Sequence, residues 1–257
     1  MPEGDTVWLS AKQMHDAFAG RSLTRSDFRV PRYATHDFAG RVVHEVVARG
    51  KHMLTRLDGG WTVHTHFGMD GAWRIYRGAR TSRARSVRLV LANDEWTALG
   101  TSLAAIDVVR TRDERALVGH LGPDVLADDF DAAEAVRRLA AHPERAIGDA
   151  LLDQRLLAGV GNLYRAEVLF LAAVSPWRAI AETPDLDALV QIARDLMVAN
   201  RERWAQITTG DTRRGHEHWV FERTGRSCRR CGTAIRSAEQ PTSGGPRLAY
   251  WCPTCQR

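Results

Sequence analysis

The chain has no long apolar run and no charged-then-apolar leader. Its longest nearly uninterrupted apolar stretch, residues 166–174, contains Glu167 and is far shorter than the roughly 20 residues that a helix needs to cross a bilayer. The start, Met1-Pro2-Glu3-Gly4-Asp5, lacks the regions of a secretory signal. We therefore expect a cytoplasmic protein without a membrane span.

Lysine is almost absent. Of 36 basic residues only Lys12 and Lys51 are lysine. Because lysine can be tuned to exchange a proton whereas arginine stays charged, a lysine retained against this bias indicates a chemical task. Lys12 falls on the polar side of a predicted helix, where a solvated charge explains it. Lys51 lies between two predicted strands in Arg49-Gly50-Lys51-His52, where glycine permits close approach of the backbone to a ligand.

Composition excludes fibrous and disordered chains. The 257 residues are 44% hydrophobic and 26% charged, which fits one large or two ordinary globular domains. The net charge of +5 and the pI of about 9.4 allow a polyanionic partner without requiring one. Residues 213–257 carry nine arginines against three glutamates, so the tail is basic, which a solvated surface explains as well as a binding surface does.

In the first half of the chain, one helical pattern is followed by a series of strand patterns. Val7, Ala11, Met14 and Phe18 recur at helical spacing, with Asp5 or Thr6 as candidate caps and Gly20 as a stop. Short alternating segments then predict strands at 23–30, 42–49, 53–57, 61–66, 72–76, 87–92, 96–99 and 106–109. Residues 1–115 are predicted to form a β-sandwich with one helix, followed by a linker at 116–130.

Helical periodicity dominates the second half. Helices are predicted at 132–141, 143–152, 162–172 and 184–200, the last with Thr183 as N-cap and Pro184 at its first position. The helical domain is predicted to span residues 131–222. The fold class is therefore α+β and multidomain.

Residues 223–257 hold all four cysteines, as two CxxC pairs: Cys228 with Cys231, and Cys252 with Cys255. Four thiolates at this spacing fit one structural Zn²⁺ ion of the ribbon type, which would supply the folding energy for so short a segment. Two disulfides are the alternative, disfavoured in the cytoplasm. A zinc finger alone does not distinguish DNA, RNA and protein partners.

A Gly159-Val160-Gly161-Asn162 turn opens the predicted helix at 162. Free amides at a helix start suit a phosphate, although such turns are also ordinary connectors.

Six motifs in order carry a resemblance: Pro2-Glu3-Gly4, Arg49–His52, His66-Phe67-Gly68-Met69-Asp70-Gly71, Gly122-Pro123-Asp124, Leu152-Asp153-Gln154 with the Gly159–Asn162 turn, and the double CxxC. The chain resembles the formamidopyrimidine-DNA glycosylase/endonuclease VIII family over nearly its whole length. The resemblance implies an N-terminal β-sandwich with a catalytic helix, a helix-two-turn-helix domain and a zinc-finger β-hairpin. It implies a base-excision-repair enzyme acting on damaged DNA as a monomer associated with the bacterial nucleoid.

The resemblance also assigns roles. Pro2, once Met1 is removed, would attack sugar C1′ as a secondary amine, because the positive end of the following helix favours its neutral form. Glu3 would move protons, although a carboxylate there can simply favour the helix dipole. Lys51 matches the family lysine that contacts the sugar oxygen and flanking phosphate.

Three further positions match DNA contacts of the family. Asn162 and Arg247 correspond to phosphate-binding residues, and Met69 to the side chain that fills the gap left by the flipped base. From the sequence alone, Met69 is as well explained as a core residue.

Three departures from the family pattern stand out, and the last two bear on the substrate. Thr6 stands where the family commonly has an acid. Residues 99–106 lack the Arg-x-Phe pair of the formamidopyrimidine branch. Only the short segment 208–216 stands where that branch has a long lesion-covering loop before the finger. The absence of the pair and of the long loop favours the endonuclease VIII branch, hence oxidised pyrimidines and β,δ-elimination. An 8-oxoguanine glycosylase, an abasic-site lyase with little glycosylase activity, and a non-catalytic lesion-binding protein are the alternatives.

Overall fold

The structure, a computed structural model, describes residues 2–257, which form two compact units: one ends at His120 and the other spans Leu121–Arg257. Met1, whose removal the Pro2 hypothesis requires, lies outside the described residues. Within residues 2–257, no helix has the length and apolarity that a bilayer crossing needs.

The first unit contains two four-stranded antiparallel sheets, in the orders β1-β6-β7-β5 and β2-β3-β4-β8. The strands are β1 (Arg25–Phe28), β2 (Val43–Arg49), β3 (His52–Leu57), β4 (Trp61–His66), β5 (Ala72–Arg77), β6 (Val87–Ala92), β7 (Trp96–Thr101) and β8 (Ala105–Arg110). All eight predicted strands are present, which confirms the predicted β-sandwich. The short helix α2 (Arg115–Val118) follows them.

Helix α1 (Gly4–Phe18) begins earlier than the predicted caps. Glu3 occupies the N-cap position with extended backbone, and its side chain makes no capping bond. Asp5 and Thr6 lie inside the first turn, where an Asp5 oxygen accepts the Thr6 amide at 2.7 Å. The cap prediction was wrong because the helix begins at Gly4, so Asp5 and Thr6 already lie within it, whereas a capping residue precedes the first helical residue.

Helix α1 contributes Val7, Met14 and Phe18 to the core between the sheets; all three are fully buried. Its axis runs opposite to β2. The His15 ring accepts the Val46 amide at 3.2 Å, and Ala19, four residues later in the chain, bridges Val43, three residues earlier in the strand.

The second unit contains four helices, α3 (Ala132–Ala140), α4 (Ile147–Ala150), α5 (Asn162–Leu171) and α6 (Leu186–Asn200), and an antiparallel hairpin of β9 (Arg236–Gln240) and β10 (Arg247–Trp251). The segment predicted as linker, 116–130, begins inside α2. Its later part packs into this unit, with Val125 fully buried.

Two helix starts differ from the predictions. Helix α4 is one turn long because Ala146 is extended and pairs with Ala179, and the Ile147 amide donates to the Arg178 carbonyl. Helix α6 is capped by Asp185, whose side chain accepts the Ala188 amide at 2.8 Å. Thr183 instead donates its hydroxyl to the Ala179 carbonyl.

Candidate active site

Pro2 and Glu3 immediately precede α1. Pro2 is half-buried, whereas Glu3 is fully buried. The Glu3 carbonyl accepts the Val7 amide at 3.1 Å, the first hydrogen bond of the helix. A carboxylate and the nitrogen of residue 2 therefore lie at the positive end of a 15-residue helix dipole.

Lys51 occupies a two-residue turn between β2 and β3, whose flanking residues Arg49 and His52 are paired. Gly50 has φ +57°, which a turn of this length requires at its first position and glycine adopts without strain. The tight turn gives the half-buried Lys51 a defined position at the end of the sheet.

Strand register brings Lys51 and the start of α1 to the same end of the sandwich. From the His15–Val46 contact, the helix rises about 18 Å back to Glu3, and β2 advances about 17 Å forward to Lys51. Since helix and strand are antiparallel neighbours, both arrive together. The first unit thus brings three of the predicted site residues to the same end of the sandwich: Pro2, Glu3 and Lys51.

The segment between β4 and β5 lies at this end too, because His66 pairs with His52 next to Lys51. Gly68 has φ +67°, and a Cβ added there would lie 2.7 Å from the Ala104 Cβ. This turn holds Met69 outward with 62% of its surface exposed. Met69 is therefore not a core residue.

Histidines cluster beside Lys51. The His64 Nδ1 lies 3.1 Å from an Asp107 oxygen, and the His64 Nε2 lies 2.8 Å from the His52 Nδ1. Because a carboxylate only accepts, His64 carries its proton on Nδ1 and accepts from His52 through Nε2. Burial, followed by the electrostatic influence of the neighbouring histidine rings and of Lys51, lowers the pKa of His52 to about 3. Burial also lowers the pKa values of His64 and His66. We call His52, His64 and Asp107 the histidine array.

In the second unit, Asn162 is the first residue of α5 and donates its side-chain amide to the Leu248 carbonyl of β10 at 3.1 Å. Arg165, one turn later and fully buried, donates to the same carbonyl at 3.0 Å and to the Gln240 side chain at 3.1 Å. Arg247, the first residue of β10, is exposed. Helix α5 thus fixes the strand that presents Arg247.

Glu167, also on α5, is a fully buried carboxylate. Its oxygens accept the amides of Trp219, Val220 and Phe221 at 2.7 to 2.8 Å, and the hydroxyl of Thr208. These bonds attach the segment before the first CxxC pair to α5.

The four cysteine sulfurs all lie within 4.8 Å of one another, with Cys231 to Cys252 at 3.5 Å and Cys228 to Cys255 at 4.0 Å. Four thiolates around one tetrahedral ion with metal–sulfur bonds near 2.3 Å would be spaced by about 3.8 Å. The four cysteines can therefore hold one metal ion.

Two protein-family models match this chain. The formamidopyrimidine-DNA glycosylase N-terminal domain matches residues 1–117, and the formamidopyrimidine-DNA glycosylase H2TH domain matches residues 121–207. The chain belongs to the formamidopyrimidine-DNA glycosylase/endonuclease VIII family. The family and the fold class expected from the motifs are confirmed.

Curated relatives carry endonuclease VIII-type names. A probable endonuclease 8 2 of Streptomyces coelicolor is 51% identical, covering 100% of this chain and 94% of the relative. A DNA-(apurinic or apyrimidinic site) lyase Nei2 of Mycolicibacterium smegmatis is 45% identical, covering 100% and 99%.

Among solved structures, Lactococcus lactis Fpg (MutM) bound to DNA containing N7-benzyl-Fapy-dG superposes with a TM-score of 0.83 at 22% identity, covering 100% of both chains. At this identity the likeness shows the shared fold.

The connection between β7 and β8 is short. Strands β7 and β8 are joined by Ser102, Leu103 and Ala104 alone, and Leu103 is fully buried. This turn presents no large side chain to solvent, in agreement with the missing Arg-x-Phe pair.

Sequence reasoning missed the histidine array and Arg165. The array joins residues 12 and 43 positions apart, a pairing that no local pattern shows. A signal for Arg165 was available: Arg165 and Glu167 interrupt an apolar stretch of α5, where a fully buried guanidinium needs hydrogen-bond acceptors.

Proposed function

We propose that this protein removes oxidised pyrimidines from DNA through an imine formed by Pro2 and then cuts the strand by β,δ-elimination. Family membership makes it a DNA glycosylase with abasic-site lyase activity in base excision repair. The residue-level proposal is supported by the helix and strand geometry, which brings the start of α1, with Pro2 and Glu3, and the Lys51 turn to the same end of the sandwich.

In this mechanism, the neutral Pro2 amine attacks C1′ of the damaged nucleotide. The new N–C1′ bond replaces the bond to the base, which leaves with the electron pair, and ring opening gives an iminium. The iminium acidifies the C2′ proton, so loss of that proton expels the 3′ phosphate. A second elimination expels the 5′ phosphate, and hydrolysis of the imine frees Pro2.

Glu3 is proposed to protonate the opening sugar oxygen and later to carry protons during elimination. Its complete burial beside the helix start excludes bulk water from the carboxylate. Lys51 is proposed to contact the sugar oxygen and an adjacent phosphate, a task for which the fixed turn at Gly50 prepares it.

Asn162 and Arg247 are proposed to bind phosphates, and Met69 to enter the gap left by the flipped base. The exposure of Met69 on a glycine-shaped turn supports this wedge role. The bonds from Asn162 and Arg165 to Leu248 support a fixed position for Arg247.

We propose Zn²⁺ as the metal held by Cys228, Cys231, Cys252 and Cys255. A closed four-thiolate site suits a structural ion, which would stabilise the finger and take no part in the chemistry. Metal analysis of purified protein should give one zinc per chain, and Cys252→Ser should lower it together with DNA affinity. Full zinc-free activity would contradict this.

The preference for pyrimidines rests on the short β7–β8 turn with its buried Leu103. A set of duplexes bearing thymine glycol, 5-hydroxycytosine or 8-oxoguanine tests it by single-turnover base release. Faster release of 8-oxoguanine opposite cytosine would assign the protein to the other branch.

Borohydride trapping tests the nucleophile. Intact mass should show that Met1 is absent, and Pro2→Gln, whose larger side chain keeps Met1 in place, should lose the trapped complex while still binding DNA. The two lysines give a matched pair: Lys51→Ala should slow base release by about 10²-fold or more, whereas Lys12→Ala should not change it. Unchanged trapping by Pro2→Gln refutes the proposed nucleophile. If the wild type binds lesion DNA but neither cleaves it nor forms a trapped complex, the result favours a lesion-binding protein.

We further propose that the protein acts as a monomer in the cytoplasm, associated with the nucleoid. One copy carries every proposed site residue. Light scattering with and without a lesion duplex should give one chain per duplex, and a fluorescent fusion should overlap the DNA stain.

A further inference from the structure

A second concentration of positive charge lies in the first unit, outside the basic tail. Between Asp70 and Asp94 the chain has six arginines and no carboxylate: Arg74, Arg77, Arg80, Arg83, Arg85 and Arg88. The net charge of residues 1–212 is nevertheless about −1, because acidic residues elsewhere in this range offset the six arginines.

Topology makes the segment between β5 and β6, residues 78–86, cross a whole sheet face. Both strands pair with β7 in antiparallel fashion, so β5 and β6 are parallel to each other. The segment must therefore return from the Arg77 end to the Ala72 end, a distance of about 17 Å. We call residues 78–86 the arginine crossover.

Hydrogen bonds hold the arginine crossover on the outer face of the sheet. The Arg80 amide donates to the Thr97 hydroxyl at 3.2 Å, and that hydroxyl donates to the Gly78 carbonyl at 2.8 Å. Midway, Arg29 donates to the Ser82 carbonyl at 2.7 Å. At its end, the Ser86 carbonyl accepts the Ser102 amide at 2.7 Å. The arginines therefore project from an anchored backbone.

Their charges are not neutralised within the described chain. Arg77, Arg80, Arg83 and Arg85 are exposed, and none of them forms an ion pair in residues 2–257. By contrast, Arg21, Arg25 and Arg112 pair with Glu95, Asp27 and Asp113. Guanidiniums without a carboxylate partner, on a fixed surface, suit a polyanion whose charges they can neutralise; Arg80 also lies over the Tyr76 ring, at 5.5 Å from its centroid.

We propose that the arginine crossover is a second DNA-binding surface, which contacts backbone phosphates of the undamaged duplex beside the lesion. Its last residues adjoin the β7–β8 turn, at the end of the sandwich where Lys51 and Met69 lie. From there it extends about 17 Å, the length of about five base-pair steps of 3.4 Å. The surface therefore reaches phosphates several nucleotides from the site. This proposal rests on the proposed activity on DNA.

The test replaces side chains but keeps the backbone anchors. The variant Arg80→Ser/Arg83→Ser/Arg85→Ser is compared with the control Arg21→Ser/Arg25→Ser/Arg112→Ser, which removes the same net charge from paired positions. Binding to an undamaged duplex is measured from 50 to 200 mM salt. If each lost contact reduces the slope of log K against log salt by about 0.9, the crossover variant should lose about 2 to 3 in slope and the control less than about 1.

Duplex length gives a second readout. The affinity difference between wild type and crossover variant should be smaller on duplexes with arms of about three base pairs, which reach only part of the surface, than on arms of about 12, which cover all of its roughly five steps. Both variants should keep borohydride trapping and the single-turnover rate at saturating enzyme.

Equal slopes for the two variants, or a length-independent difference, would overturn the proposal in favour of a general charge effect. An unchanged slope in the crossover variant would also overturn it, and would leave a solvated face or an acidic protein partner. Absence of DNA binding by the wild type would instead refute the proposed function.

Discussion

The histidine array predicts a specific loss of stability in mild acid. His52 is held neutral in the folded protein, with a pKa of about 3 against 6.5 for a free side chain. Its contribution to the free energy of unfolding is complete above pH 6.5 and is lost as the pH falls from there towards 3, because the unfolded chain takes up the proton first. Between pH 7.5 and 5 this loss amounts to about 2 kcal/mol.

His52→Gln isolates that effect. Glutamine has an amide that can still donate to the His64 Nε2, but it does not titrate. Urea unfolding followed by tryptophan fluorescence, on wild type and variant at pH 7.5 and 5, forms a cycle in which pH effects from other groups cancel. We expect the variant to lose about 2 kcal/mol less than the wild type over this interval.

His44→Gln is the matched control, since His44 lies on the neighbouring strand with 60% of its side chain exposed. This substitution should leave the pH dependence of stability within about 0.5 kcal/mol of wild type. Identical pH dependence in the wild type and His52→Gln would refute the reasoning, as would an imidazole titration of His52 near its ordinary pKa in an NMR experiment.

Four further substitutions, in three experiments, test the structure. Glu167→Gln removes the acceptor charge shared by three amides and should lower the urea midpoint of the second unit, with a cost of about 1 to 3 kcal/mol; an unchanged midpoint would contradict the anchoring role. Asp185→Ala should cost about 1 kcal/mol in thermal unfolding whereas Thr183→Ala should cost less, and the reverse order would restore the predicted cap. Gly68→Ala forces a side chain into positive φ and against Ala104, so base release should slow while trapping at a preformed abasic site persists; equal activity on both substrates would show that the turn tolerates displacement.

The sequence predicted the strands well because they are short runs of β-branched or alternating residues, most of them followed closely by glycine, asparagine, aspartate or proline. It predicted the starts of α3 and α5 correctly, but not those of α4 and α6. At α6, Thr183 and Asp185 both have capping chemistry; Asp185 accepts the Ala188 amide, whereas the Thr183 hydroxyl donates to the Ala179 carbonyl. Helix α4 was overpredicted because its first residues pair with Ala179, a partner that a local pattern does not reveal.

Some residues of the candidate site could be identified from the sequence, and others could not. Lys51 was identifiable because lysine is scarce, and the four cysteines because of their spacing. His64 and Asp107 were not, since they meet only when β4 pairs with β8. Arg165 was passed over because its acceptors lie in a hairpin more than 70 residues later in the chain.

Helix α5 limits how freely the finger can be exchanged between proteins. Asn162 and Arg165 hold one strand of the hairpin, and Glu167 holds the segment that leads into it. A finger transplanted from a relative would bring its own strand but not these three anchors. Functional chimaeras should therefore require α5 and the finger to be inherited together, so the evolutionary module is larger than the metal-binding segment.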